Sequence, residues 1–258
     1  MTATKLWWRI GGSVVTVFVL AMALMNLLGL LAYHREPIDT DAPGAGLTGL
    51  DVEIEFGTVE IVGVDSSTIH VEGTVTSGLL RTRHHEGIEG DRYLVSSSCK
   101  GGPASHFCEV DYRIEVPEGL AVRVDADDAD VTVRDLRGRV DVRTSNRVVR
   151  ADSLSGEVSL ESSNDDVLAS GMGPGAVRIV TSNARVEAAF SEPPERVEIE
   201  TSNDDVDVVV PDTVDFYAVD LETSNGTPRA EIRTDPTSDR VLAVRTSNGD
   251  VRVSYPAT

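Results

Sequence analysis

Through the second half of the chain, apolar residues alternate strictly with polar ones, and the alternation repeats. Six copies end on Asn146, Asn164, Asn183, Asn203, Asn225 and Asn248. Six residues before each Asn stand Val140, Val158, Val177, Val197, Val219 and Leu242. Four before stand Val142, Leu160, Ile179, Ile199, Leu221 and Val244. Two before stand Thr144, Ser162, Thr181, Thr201, Thr223 and Thr246. A period of two is the mark of a strand with one buried face. Three residues after the Asn come Val149, Val167, Val186, Val206 and Val251, with Pro228 in the remaining copy. Five after come Ala151, Ala169, Ala188, Val208, Ala230 and Val253. A second strand therefore follows each Thr/Ser-Ser-Asn corner.

The Asn spacings are 18, 19, 20, 22 and 23, and Asp128 takes the Asn place in a seventh copy 18 residues upstream. The growth falls in the link between one copy and the next, while strands and corner keep their length. This predicts an all-β fold, a parallel β-solenoid of about seven two-strand rungs. Each rung buries its apolar face only against its neighbours. Equivalent side chains then lie about 4.8 Å apart, so Asp128 and the six Asn residues form one repeat-corner ladder. An antiparallel sandwich of hairpins is the rival; it explains the alternation but not the fixed offsets.

Residues 50–61 fit the same offsets if Phe56 takes the Asn place and Gly57 the corner. Between them and the main repeat, Thr68–Val75, Tyr93–Ser97 and Val110–Val116 read as strands, and Leu79–Asp91 and Cys99–Phe107 as loops. The expected organisation is a tail and membrane anchor over 1–36, a tether over 37–49, an N-terminal β region and cap over 50–118, and the repeat solenoid over 119–258.

The amino terminus departs from this pattern. Ile10–Tyr33 is 24 residues without a charge, flanked by Trp7, Trp8 and Tyr33. A bilayer core takes about 20 apolar helical residues, and aromatic side chains favour its two interfaces. A cleaved signal peptide is the alternative, with a run longer than the usual apolar core of such peptides. Lys5 and Arg9 precede the span, which predicts a single-pass protein with its amino terminus in the cytoplasm and the rest outside.

Among the 258 residues, Lys and Arg number 23 against 43 Asp and Glu, for a net charge of −20. From Ile38 onward there are 20 basic and 42 acidic residues. Such a surface excludes nucleic acid as a partner, because phosphate binding needs clustered cations.

The alternating strands, the Thr-Ser-Asn-Gly-Asp-Val corner (Thr246–Val251) and the Val-Pro-Glu-Gly-Leu segment (Val116–Leu120) resemble a bacterial β-strand-repeat family, DUF4097, also described as a putative adhesin. The resemblance covers about Leu50–Tyr255. It implies an envelope location and a β-solenoid, and it carries no catalytic residues to transfer. Glycine is usual in that family after the Asn. Here Arg147, Asp165, Ala184 and Asp204 replace it, so the Asn itself is expected to take the positive φ.

Three sets of residues could carry chemistry. Cys99 and Cys108 suit a disulfide outside the cytoplasm; free thiols, or a metal site with His106, His84 and His85, are the alternatives. Asp128 with Asp130, Asp165 with Asp166, Asp204 with Asp205, and Asp250 could bind calcium or form a glycosidase carboxylate pair. Stacking places the acidic pairs two rungs apart, too far to share one ion, with Arg147 and Arg185 between them; that reads as a solvated charged edge. Phe190, Phe216, Tyr217 and Tyr255 lie outside the constant strand positions, so no aromatic platform for a sugar is expected.

The sequence predicts no cofactor and no metal. It predicts a non-enzymatic, membrane-anchored envelope protein with a protein or cell-surface partner. Two other readings stand beside it: an extracytoplasmic sensory or regulatory partner of a membrane signalling system, and a solenoid carbohydrate-active enzyme.

Overall fold

The computed structural model describes residues 16–24, 34–78, 82–99, 108–213 and 216–256. Each predicted copy forms one rung of two short strands. Strands β8 (Val140–Thr144) and β9 (Val149–Asp152) make the first. They are followed by β10 (Val158–Ser162) with β11 (Val167–Met172), and by β12 (Ala176–Thr181) with β13 (Val186–Phe190). Next come β14 (Arg196–Glu200) with β15 (Val206–Val209), β16 (Ala218–Thr223) with β17 (Pro228–Glu231), and β18 (Val241–Thr246) with β19 (Val251–Ser254). The rungs pair in parallel and in the register that the offsets require. Val140 lies beside Val158, Val158 beside Val177, and Val177 beside Val197 on one face. Val149, Val167, Val186 and Val206 line up on the other. All of these valines are buried. The two faces enclose one continuous apolar core.

Upstream, β7 (Ala121–Arg134) and β2 (Gly49–Val64) are long strands, each supplying both halves of a rung. Beyond β2 lie β5 (Arg92–Ser98) on one face and β6 (Glu109–Pro117) on the other. Three antiparallel strands finish this end. Strand β4 (Arg83–Glu89) pairs with β5, β3 (Thr68–Ser77) with β6, and β1 (His34–Pro43) with β3. Pairing of β2 with β7 carries the sheet across the division expected at residue 118.

Rung order does not follow chain order at either end. At the carboxyl end, β18 sits between β14 and β16, and β19 between β15 and β17. The expectation of copies stacked in sequence is corrected here: the last repeat fills an inner slot and the one before it is outermost. At the amino end, β2 lies between β5/β6 and β7 in the same manner.

Charge gives the reason at the carboxyl end. The outward charges of β14 are Arg196, Glu198 and Glu200, and those of β16 are Asp220 and Glu222. Stacked directly, they would set like charges side by side. Arg245 of β18 stands between them instead, 2.8 Å from Asp220 and 3.0 Å from Glu222 and in register with Glu200. The outermost position also explains Pro228. Proline is tolerated on an edge strand, where it blunts pairing with other chains.

The links contribute a further buried row that the offsets did not reveal. Leu136, Leu154, Met172, Phe190 and Val210 stand at or just past the ends of the second strands and are buried. The N–H after each of Leu154, Met172 and Phe190 donates to the carbonyl of the previous member. Phe190 and Tyr217, outside the constant strand positions, are core residues. Left-handed residues also stand at or near the ends of the second strands, at Asp135 (φ 59°), Ser153 (φ 55°) and Gly171 (φ 60°). No described Asn has a positive φ, which corrects that expectation; at these corners the non-glycine exception is Asp204, at φ 133°. Gly175 has φ +137°, and a Cβ there would collide with the Gly156 carbonyl of the rung below.

Two other segments differ from expectation. Much of the expected tether is strand β1, whose inward Ile38 and Ala42 are spaced four apart, too sparsely to show as alternation. Within the expected loop Leu79–Asp91, residues 83–89 form β4. Of the apolar run Ile10–Tyr33, residues 16–24 are described, as helix, and the remainder lies outside the described residues. No helix among the described residues is long and apolar enough to cross a membrane, so the expected anchor rests on sequence alone.

Candidate functional site

The corner residues line up in single file. The Nδ2 amide of Asn164 donates to Oδ1 of Asn146 (3.0 Å), Asn183 to Asn164 (3.2 Å), and Asn203 to Asn183 (2.9 Å). Asn248 then donates to Asn203 (2.8 Å) and Asn225 to Asn248 (2.9 Å), in the swapped order. All five bonds point the same way, so the amide dipoles add and polarise one another. Asp128 does not join this chain of amides; its carboxylate lies 3.5 Å from Arg147. The preceding Thr or Ser faces inward. Ser162, Thr201, Thr223 and Thr246 each donate to the carbonyl of a residue that follows an Asn, at Asp165, Ala184, Gly249 and Asp204 respectively.

The acidic corners are likewise engaged within the stack. Asp166 accepts the Arg185 N–H (3.2 Å), Asp205 the Asp250 N–H (2.7 Å), and Asp250 the Thr227 N–H (2.8 Å). Each carboxylate satisfies a backbone donor of the next rung. Arg185 lies between Asp166 and Asp205, as the alternation of sign predicts, 3.9 Å from the latter. Among the described residues no group of three His, Cys, Asp or Glu side chains could hold a metal ion. Asn183→Ala removes two ladder bonds and Asn225→Ala one. With a net contribution of about 0.5–1.5 kcal/mol per bond, the first is expected to cost about 1–2 kcal/mol and the second about half that. Urea unfolding with an unchanged m-value checks both.

Cys99 and Cys108 are disulfide-bonded, with Cα atoms 6.2 Å apart. Ser97 lies beside Ile54, so Cys99 occupies the Asn place of the β5/β6 rung. The bridge closes the corner where that rung carries an insertion. His106 lies outside the described residues. His84 and His85 diverge, as neighbours on a strand must.

His84 points inward from β4. Its Nδ1 is 2.7 Å from the Tyr112 hydroxyl and its Nε2 2.7 Å from Glu86 Oε1. The Tyr93 hydroxyl donates to the other Glu86 oxygen at 2.8 Å. With the proton on Nε2, Tyr112 donates to His84, the His84 Nε2 lies against Glu86 Oε1, and Tyr93 donates to the other Glu86 oxygen. Burial raises the pKa of both phenols, and the Glu86 carboxylate adds to it at Tyr93. The Thr82 hydroxyl donates to the Thr76 carbonyl and lies 3.0 Å from Cys108 Sγ. A part-buried polar network and the disulfide corner therefore hold β4 in place. Pairwise spacing gave no sign of it, because the partners come from three strands.

On its outer side β4 walls a groove of about 700 Å³. Arg83 and His85 stand at one end, and Ser96, Ser97 and Ser98 of the β5 segment come next. Glu53 and Glu55 of β2 and Asp125 and Asp127 of β7 follow, then Arg143, Ser145, Glu161 and Ser163. Arg143 is neutralised by Asp125, Asp141 and Glu161, at 3.9, 3.4 and 3.3 Å, and Glu55 accepts the Cys99 N–H. Arg83, Glu53 and Asp127 have no ion-pair partner among the described residues. The adjoining hollow on the same face contrasts with this. Asp51 holds Arg92 through two bonds of 2.6 and 2.7 Å there, and Arg123 holds Asp125.

No family model and no curated protein matches the chain. Among solved structures it is similar to a putative cell adhesion protein from Clostridium sporogenes. That match has 12% identity and a TM-score of 0.36, covering 86% of this chain and 100% of that one. It is also similar to a putative adhesin from Bacteroides fragilis, with 13% identity and a TM-score of 0.44 over 84% of this chain and 97% of that one. A third, a putative adhesin from Parabacteroides merdae, has 13% identity and a TM-score of 0.39 over 86% and 95%. Similarity this distant leaves the functional reading to the chain's own geometry.

Proposed function

We propose that the chain is a non-enzymatic interaction module of the cell envelope, adhesin-like in use. In this reading the apolar residues 10–33 hold it in the membrane, with the amino terminus in the cytoplasm and the β stack outside. The observation that carries the proposal is the charged groove beside β4. Corner amides, corner carboxylates and most outward arginines are engaged with one another, and in this groove Arg83, Glu53 and Asp127 have no ion-pair partner among the described residues. A concave site of about 700 Å³ that carries free charge on a rigid stack suits recognition of a partner. The engagement of the acidic corners in backbone hydrogen bonds argues for a structural use of those carboxylates over glycoside cleavage.

A photo-cross-linking residue tests this in whole cells. At Ser98, in the groove, it is expected to give a discrete covalent adduct that Glu53→Lys abolishes. At Ser254, on the opposite face, it is expected to give none. Equal adducts from both positions, or none from either, would contradict the reading.

A further inference from the structure

We infer that the outer edge of β16 takes up, in parallel, an extended segment of another protein whose apolar residues alternate with Arg or Lys. This site lies at the carboxyl end of the stack and goes beyond the reading of the groove.

The edge is open on one face only. The Ala218 N–H donates to the Arg240 carbonyl, on the β18 side. The Tyr217 N–H donates to Arg233 on the other side, where the Asp235 N–H returns a bond to the Tyr217 carbonyl. Successive strand residues direct their backbone groups to opposite edges. Val219, Leu221 and Thr223 therefore point N–H and C=O away from β18, and among the described residues no strand pairs with them there. In an inner rung the equivalent Thr201 N–H donates to the Arg245 carbonyl of the next rung. On the second face the outward donors are Val149, Val167, Val186, Val206 and Val251. Pro228 stands in their place on β17 and has no N–H. Addition is thus confined to β16, over a seat bounded by Arg233–Asp235 at one end and the Ser224–Asn225 corner at the other.

Three features of the seat define its occupant. Val219 and Leu221 are half-buried, whereas Leu242 and Val244 beside them in β18 are fully buried. An added strand with apolar residues in those two columns completes the core. Asp220 and Glu222 point outward and are met by Arg245 on their inner side. A cation at each facing position of the added strand continues the alternation of sign, whereas a carboxylate sets like charges side by side. Asn225 donates to Asn248, so its own Oδ1 is the acceptor end of the amide ladder; a parallel strand ending in Asn reaches it. Strand addition of this kind takes affinity from main-chain bonds and selectivity from alternate side chains. A second copy of this chain fits poorly. Its β16 would set Asp220 and Glu222 beside their like, and its β1 would bring Asp39 and Asp41. Its β4 would turn His84 and Glu86 towards Val219 and Leu221.

The probe is the capped peptide Val-Arg-Val-Arg-Thr-Ser-Asn, titrated calorimetrically into the full chain in detergent. It is expected to bind at least about tenfold more tightly than Val-Glu-Val-Glu-Thr-Ser-Asn and than the scrambled Arg-Arg-Thr-Val-Ser-Val-Asn. The same margin is expected over the probe N-methylated at both arginines, whose N–H groups meet the Val219 and Leu221 carbonyls in the parallel register. Leu221→Pro removes one outward N–H and no backbone bond within the stack, and is expected to weaken binding about tenfold. Should that variant lose its fold, the N-methylated peptide carries the same test. Glu187→Lys, on the outward side of β13, leaves binding unchanged. Equal binding of the scrambled or N-methylated peptide, or undiminished binding by folded Leu221→Pro, would show a general acidic field and overturn the assignment. Absence of binding to the unaltered chain overturns it too. The Ser98 adduct decides the groove reading separately.

Discussion

Truncation after Arg240 is expected to unfold the outer part of the stack instead of trimming its end. The deleted repeat supplies Leu242, Val244, Val251 and Val253, all fully buried. At roughly 1.5–3 kcal/mol for each buried side chain, their loss approaches the whole stability of an ordinary domain, about 5–15 kcal/mol. Strands β16 and β17 pair with no rung except the deleted one. They cannot simply close the gap, because β16 would bring Asp220 and Glu222 beside Glu198 and Glu200. Hydrogen exchange should therefore show protection lost over residues 218–231 and weakened over 196–209, and the melting temperature should fall by more than about 10 °C. Retained protection over 218–231 would mean that the last repeat is outermost after all.

Leu154→Ala carries the second large effect. Leu154 is 1% exposed and stacked between Leu136 and Met172 in the link row. A rung held in register above and below cannot collapse around the lost atoms, so the cavity remains. Leucine-to-alanine changes in such sites cost about 2–5 kcal/mol, and about 3 kcal/mol is expected. Leu168→Ala, on the outward side of β11, should stay within about 0.5 kcal/mol. Equal effects at the two positions would remove the link row from the core.

Much of the stack was legible in the sequence, because its rule is local and repeats. The offsets −6, −4, +3 and +5 place the buried strand residues correctly in every Asn copy but the outermost, where Val219 and Leu221 are half-buried and Pro228 and Ala230 exposed, and even Phe56 and its neighbours follow them. The order of the rungs was not legible from those offsets, since interchangeable rungs fit any slot. The signals that bear on order are the longer links on either side of the Asn225 copy, Pro228, and the charges of Glu200, Glu222 and Arg245. Each acts between rungs and shows only once neighbours are known. The link row escaped because its members differ in shape (Leu136, Leu154, Met172, Phe190, Val210) and lie in segments of varying length. The disulfide followed from compartment and spacing. The groove did not, because its charges come from β4, β2, β7, β8 and β10, more than 100 residues apart in places, and only folding brings them together.

The stacking of look-alike rungs, and their order, can be read from paired cysteine substitutions at the corners. Asn203 and Asn248 lie side by side in a parallel bridge, at a separation that a disulfide can span. Asn203 and Asn225 are two rungs apart, about 10 Å. Under mild oxidation, mapped by mass spectrometry, the Asn203→Cys/Asn248→Cys protein should cross-link within the chain and the Asn203→Cys/Asn225→Cys protein should not. Cross-linking of the second pair in place of the first would restore chain order to the stack, and failure of both would mean that the corners do not stand in file.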